Sequence, residues 1–210
     1  MIAVDETFLS LIFYPDAIPP EDPNTHRPIT RLKERIDFLV EGWQAARETI
    51  TVPTPVITEF LYLAGDRASD YLSELENNSV FKSADFDKLA AVELAALHNK
   101  FGATKAKRKR RSKGKDETWA KINFDRQIVA ICKTKGVKTI YSDDGGLRTF
   151  AERNGIDVIS TWEIPEPPAD AQMTLDEMIE REQATTATDE GELMPKLKQG
   201  RKFALGEEEV

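Results

Sequence analysis

Asp5, Glu59, Asp125 and the adjacent pair Asp143 and Asp144 stand at the ends of apolar runs or on apolar helical faces, where a lone acid is costly. An ionised carboxylate loses much of its solvation on burial, so it must be hydrogen-bonded, protonated or neutralised by a cation. Basic side chains are scarce beside these acids. A divalent metal is therefore the first hypothesis, and metal-dependent phosphodiester cleavage the first chemistry. Converging carboxylates cannot all ionise without a counter-charge, and their hard oxygens prefer Mg²⁺ or Mn²⁺. One or two such ions would orient a water for in-line attack, polarise the phosphoryl group and stabilise the leaving oxygen.

Other chemistries have less to work with. The chain holds two histidines, His26 and His98, neither beside a convincing nucleophile, so a serine or cysteine triad is disfavoured. Cys132 is the only cysteine, which excludes an internal disulfide; its place at helical spacing among apolar residues makes it a small core residue. The opening residues lack a basic leader followed by a long apolar stretch, and no segment approaches the ~18 apolar residues of a membrane helix. The expectation is a soluble, cytoplasmic protein with no membrane partner.

The acids must be positioned by the elements around them. Residues 2–4 read as a short buried strand delivering Asp5 at its end, followed by an apolar turn through Phe8, Leu9 and Ile12. Pro15, Pro19, Pro20, Pro23 and Pro28 then enforce a loop. Leu32, Ile36, Leu39, Val40 and Trp43 recur at helical spacing behind Thr30 as cap, and a second strand follows at residues 49–52. Thr54 and Pro55 start a helix, with a hydroxyl cap and then proline at the first helical position. Val56, Ile57, Phe60, Leu61 and Leu63 are apolar almost all round it, which predicts a buried helix with Glu59 as its only charge before Asp66.

Two further helices are predicted at residues 68–76 and 85–101, the second capped by Ser83. Residues 117–135 have helical periodicity with Ile122, Asp125, Val129 and Cys132 in one stripe, and Gly136 suits a left-handed end. Residues 137–141 read as a strand, 142–146 as a tight turn, 147–154 as a helix and 156–160 as a last strand. This alternation predicts an α/β fold, a three-layer α/β/α sandwich on a central parallel sheet of about four to five strands, with a polar C-terminal tail. In such sheets the ligand crevice lies beyond the C-terminal strand ends, where Asp5 and the Asp143-Asp144 pair would emerge.

Four segments together resemble the PIN-domain nucleases, the family that includes the ribonuclease toxins of many toxin–antitoxin pairs. They are Ala3-Val4-Asp5-Glu6-Thr7; Pro55-Val56-Ile57-Thr58-Glu59-Phe60-Leu61; Phe124-Asp125-Arg126-Gln127-Ile128-Val129-Ala130; and Ile140-Tyr141-Ser142-Asp143-Asp144 followed by Leu147. The resemblance spans residues 1–162, read as the nuclease domain, with residues 103–116 as a basic insertion and 163–210 as an acidic tail. It implies a Mg²⁺- or Mn²⁺-dependent endoribonuclease leaving a 5′-phosphate and a 3′-hydroxyl. Asp5, Glu59, Asp125 and an acid of the last turn would hold the metal. The family's hydroxyl, any residue, aspartate pattern maps onto Ser142 and Asp144, with Asp143 as a neighbour that assists and Thr7 supporting Asp5. It also implies RNA as partner, an inhibitory antitoxin-like protein and a homodimer.

The net charge of -8 conceals a segregation. Residues 163–210 carry 13 acids and 5 bases, and the remainder is neutral. Within that neutral part Lys105, Lys107, Arg108, Lys109, Arg110, Arg111, Lys113 and Lys115 form one block without an acid. Alone it reads as a solvated loop or a localisation signal; beside a phosphodiester-cutting site it reads as a grip on the nucleic-acid backbone. The main competing function is a catalytically silent module of the same fold that binds RNA or a protein. Phosphoaspartyl chemistry is a weaker rival, because Thr7 occupies the position where one such class needs a second aspartate, and Asp125 reads as helical rather than as a strand-end acceptor.

Overall fold

A computed structural model describes residues 1–100 and 119–168. Residues 1–166 form one compact unit, and 167–210 a second, of which only Pro167 and Pro168 are described. The basic block, Lys105 to Lys115, and all but the start of the acidic tail lie outside the described residues. Among the described residues, no helix is long and apolar enough to cross a membrane.

The expected α/β architecture is present. Strands β1 (Ile2–Val4), β4 (Ile50–Pro53), β5 (Phe81–Ala84), β6 (Thr139–Tyr141) and β7 (Asp157–Ile159) make a five-stranded sheet in the order β5-β4-β1-β6-β7. Every pairing in it is parallel, with Ile2 opposite Ile50 on one side and Thr139 on the other. Between the first two of these strands come α1 (Glu6–Phe13), a small antiparallel ribbon of β2 (Glu21–Asp22) and β3 (Arg27–Pro28), and α2 (Leu32–Ala45). Then follow α3 (Thr54–Ala64), α4 (Ala68–Asn77), α5 (Lys88–Lys100), α6 (Trp119–Thr134) and α7 (Gly145–Glu152).

The connections run from β1 outward through β4 to β5, then return to β6 and outward to β7. Helices α1 to α4 lie on the connections that run outward to β5, and α5 to α7 on those that return to β6 and run on to β7. The direction of winding therefore reverses between β1 and β6, and a crevice opens beyond their C-terminal ends. Asp5 follows β1 immediately and Ser142 follows β6 immediately, so adjacent central strands deliver both to that crevice.

The helix over Glu59 differs from the expectation of all-round burial. Pro55, Val56 and Phe60 are buried, whereas Tyr62 and Leu63 are 84% and 59% exposed. One face of α3 packs and the other borders solvent. Phe60 anchors the inner face: its ring stacks on Tyr14 at 5.0 Å and meets Phe13 and Tyr71 edge-on, and the Tyr14 hydroxyl donates to the Phe60 carbonyl at 2.7 Å. This aromatic cluster locks α3 against α1, and so sets where Glu59, one residue earlier, stands relative to Glu6 at the start of α1.

Several caps also differ. Thr54 does not cap α3, since its hydroxyl accepts the Phe86 N–H at 3.2 Å; Pro53 precedes the helix instead. Ser83 lies within β5, and α5 is capped by Asp87, whose carboxylate accepts the Ala90 N–H at 2.9 Å. Thr30 gives way to Arg31, which enters α2 from the left-handed region at φ 56° with no side-chain cap. Gly136 does adopt the left-handed conformation expected of it, at φ 72°. The first unit continues past Trp162: Ile164 is buried in the core, its carbonyl accepts from Arg35 at 2.7 Å, and Arg35 also holds Glu166.

Candidate metal centre

Asp5 is buried at the mouth of the sheet, where its Oδ1 accepts the Phe8 N–H at 2.9 Å and so caps α1. Its own N–H donates to the Tyr141 carbonyl at 3.0 Å, which carries the pairing of β1 and β6 one residue further. The Ser142 hydroxyl, completely buried, hydrogen-bonds the Asp5 side chain and accepts the Asp144 N–H at 3.1 Å. The hydroxyl is thus the joint between the two strand ends. Loss of water on burial dominates at Asp5 and pushes its carboxyl up to about 7; the bonds from Phe8 and Ser142 oppose this, and the negative charges of Asp143 and Glu6 add to it.

Asp144 caps α7, its Oδ1 accepting from Gly146 and Leu147 at 2.7 and 2.8 Å. Its Oδ2 meets the ammonium of Lys121 at 2.6 Å. Desolvation is the largest single influence on Asp144 and acts upward, but the bonds and charge of Lys121 with the two backbone N–H groups together hold the carboxyl below its ordinary range. Glu59 stands exposed at the rim. Its pKa is raised, chiefly by loss of water on the cleft side and then by Glu6 and Asp144, while Lys121 pulls the other way.

These groups share one cleft of about 380 Å³, lined by Asp5, Glu6, Thr7, Glu59, Tyr62, Leu63, Lys121, Asp125, Ile128, Asp144 and Leu147. Four of the acids singled out in the sequence, Asp5, Glu59, Asp125 and Asp144, come together there from four separate segments, with Thr7 beside them. Asp143 does not line it. Both its carboxylate oxygens are taken by Thr161, from the backbone N–H at 2.7 Å and the hydroxyl at 2.6 Å. Ser142 lies behind the cleft as a support rather than in its wall.

Sequence reasoning missed Glu6 and Lys121. Glu6 follows Asp5 directly on the first turn of α1. Lys121 sits four residues before Asp125 on α6, the spacing that places two side chains on one helix face. That spacing was the available signal, and it was masked by the neighbouring basic block.

The donors fit a hard divalent cation: the cleft wall offers carboxylate oxygens and the hydroxyls of Thr7 and Tyr62, with no thiolate or imidazole. Among the described residues, no three Asp, Glu, His or Cys side chains are drawn close enough to encage an ion. The cleft is an open, carboxylate-lined mouth, of the kind in which Mg²⁺ keeps several of its waters.

No protein-family model matches the chain, and neither does any curated protein. Among solved structures, it is similar to DNA-bound VapBC from Salmonella typhimurium, at TM-score 0.44 and 14% identity over 76% of this chain and 97% of that one. It is similar also to VapC20 of Mycobacterium tuberculosis, a toxin that cleaves the sarcin-ricin loop, at TM-score 0.42 and 16% identity over 75% and 98%. A third likeness is to VapBC2 of Rickettsia felis bound to a promoter DNA fragment, at TM-score 0.45 and 14% identity over 76% and 98%.

Proposed function

We propose that this protein is a divalent-metal-dependent endoribonuclease. The observation that carries the proposal is the meeting of Asp5, Glu59, Asp125 and Asp144 in one open cleft at the point where the parallel sheet reverses its winding. In this proposal the carboxylates of that cleft bind Mg²⁺ or Mn²⁺ partly through the ion's own waters, because no three of the described acids are drawn close enough to encage it, and residues 1–162 are the nuclease domain, acting in the cytoplasm. When bound, the ion supplies an activated water and stabilises the charge that develops on the phosphoryl group and the leaving oxygen.

The protein's own part is positioning. The Ser142 hydroxyl fixes the Asp5 carboxylate, and the N–H groups of Gly146 and Leu147 fix Asp144 so that one of its oxygens is left for a cation. Phe60 and its aromatic neighbours hold α3, and with it Glu59, at the rim. Such supports keep ligands in place without reorganisation during the reaction. The resemblance of the four acidic segments to PIN-domain nucleases, rather than the cleft, is what favours RNA as the substrate, with products carrying a 5′-phosphate and a 3′-hydroxyl.

The test is incubation of the full chain with a defined single-stranded RNA, with and without Mn²⁺, alongside Asp5→Asn. Internal cleavage that needs Mn²⁺ and is lost in a folded Asp5→Asn protein supports the proposal. Cleavage that proceeds equally in chelator, or unchanged in the variant, rejects it. Binding of RNA without cleavage under any metal would instead favour the silent module.

A further inference from the structure

Lys121 is the one base among the described residues that line the cleft, set among Asp5, Glu6, Glu59, Asp125 and Asp144. Its ammonium sits on Oδ2 of Asp144, the oxygen that the two backbone N–H donors leave open. Its side chain is 50% exposed, and an ion pair so wetted contributes little to stability. A role as a structural clamp therefore explains it poorly. An ammonium and a dication on the same carboxylate oxygen repel each other, so each weakens the hold of the other.

Building on the endoribonuclease proposal, we infer that Lys121 is a resident counter-ion of the acidic cleft that surrenders Asp144 to the metal and then binds the phosphate of the scissile link. Before metal arrives, its positive charge offsets the repulsion among five nearby acids. Once Asp144 is engaged by metal, the amine is released, yet α6 keeps it within a side chain's length of Asp125 and the cleft wall. The anion available to it there is the substrate's phosphate, for which lysine serves as a compact point charge. Lys121 is in this account a catalytic residue, and its two roles have opposite signs. It competes with the metal and assists the substrate.

The experiment uses the full chain, with Lys121→Met, which keeps an unbranched apolar stem, and Lys121→Arg. Titration calorimetry with MnCl₂ alone reads the first role, and steady-state cleavage of a defined single-stranded RNA at saturating Mn²⁺ reads the second. Lys121→Met should bind Mn²⁺ about fivefold more tightly, the scale of one lost surface ion pair. It should nevertheless cleave with kcat/KM lower on the order of a hundredfold, the scale of one lost charge-stabilising donor. Lys121→Arg should recover part of the cleavage. Wild-type Mn²⁺ affinity or undiminished cleavage in Lys121→Met would overturn the inference while leaving the metal centre standing. Absence of Mn²⁺ binding by the wild-type chain would overturn both.

Discussion

Thr161 holds Asp143 by two bonds, its backbone N–H at 2.7 Å and its hydroxyl at 2.6 Å from the two carboxylate oxygens. This separates two neighbouring acids that are chemically identical in sequence: Asp144 faces the cleft, and Asp143 ties the end of β6 to the turn after β7. The same turn is reinforced by Ser160, which donates to the Ser142 carbonyl at 2.8 Å, and by Glu163, which closes a capping box on Ser160 and pairs with Arg148.

The two acids should therefore fail differently. Asp143→Ala removes two bonds to a charged acceptor and should lower unfolding stability by about 2–3 kcal/mol, with Mn²⁺ binding retained in the protein that remains folded. Asp144→Asn keeps a capping oxygen for α7, so its stability should stay near wild type while Mn²⁺ binding falls at least tenfold. Urea unfolding and Mn²⁺ calorimetry on both variants check this; the reverse pattern would assign the cleft to Asp143.

Asp5 makes the metal-free protein sensitive to pH, with a sign opposite to that of a salt-bridged carboxylate. Its pKa rises from an ordinary 3.8 to about 7 on folding, so the folded state binds the proton more tightly than the unfolded chain. The destabilisation is full above pH 7 and fades as pH falls towards 3.8. In EDTA, stability should rise on going from pH 8 to pH 5, by up to about 1.4 kcal/mol for each pH unit in the lower part of that range. Asp5→Asn, still able to cap α1, should flatten the dependence. Parallel curves for the two proteins, measured by urea unfolding, would mean that Asp5 is not the group responsible.

How far the sequence reached depended on whether a residue's cause was local. Asp5 and Asp144 were legible because each follows a short apolar strand, and strand ends are where a parallel sheet presents ligands. Glu59 stood out as the lone charge on an apolar stretch. The outer face of α3 was not legible, because Tyr62 and Leu63 look like core until the sheet shows which side is covered. β5 was missed since Lys82 and Ser83 interrupt its apolar residues, as suits an edge strand. The partnership of Asp143 with Thr161 spans 18 residues, and no spacing rule announces it.

Tyr62 offers a flat aromatic face at the cleft rim, 84% exposed and with no part in the core. Beside the cleft proposed to cut a phosphodiester, such a face suits an unpaired base. Base stacking on an aromatic side chain contributes ~1–3 kcal/mol per base, so Tyr62→Ala should weaken single-stranded RNA binding by about tenfold. Tyr62→Phe should bind like wild type, and duplex RNA, whose bases are already stacked, should be indifferent to either change. Fluorescence anisotropy with the three proteins checks this, and equal affinities for single strands would remove Tyr62 from the substrate path.

The basic block at residues 105–115 should act chiefly through phosphates, because it gathers eight positive charges without an acid and phosphate is the charged group of the nucleic acid. Each contact made to a single strand steepens the dependence of log K on log salt by roughly 0.7. Replacing residues 107–111 by alanine should therefore weaken RNA binding at low salt, flatten that slope by up to about 3.5 if all five make contact, and leave sequence preference unchanged. Deleting residues 169–210, which carry a net negative charge, should raise affinity if the tail competes with RNA for the same bases. Binding isotherms across a salt series separate the two effects: an unaltered slope in the alanine variant would place the block away from the nucleic acid, and an unaltered affinity in the truncated protein would show that the tail does not mask it.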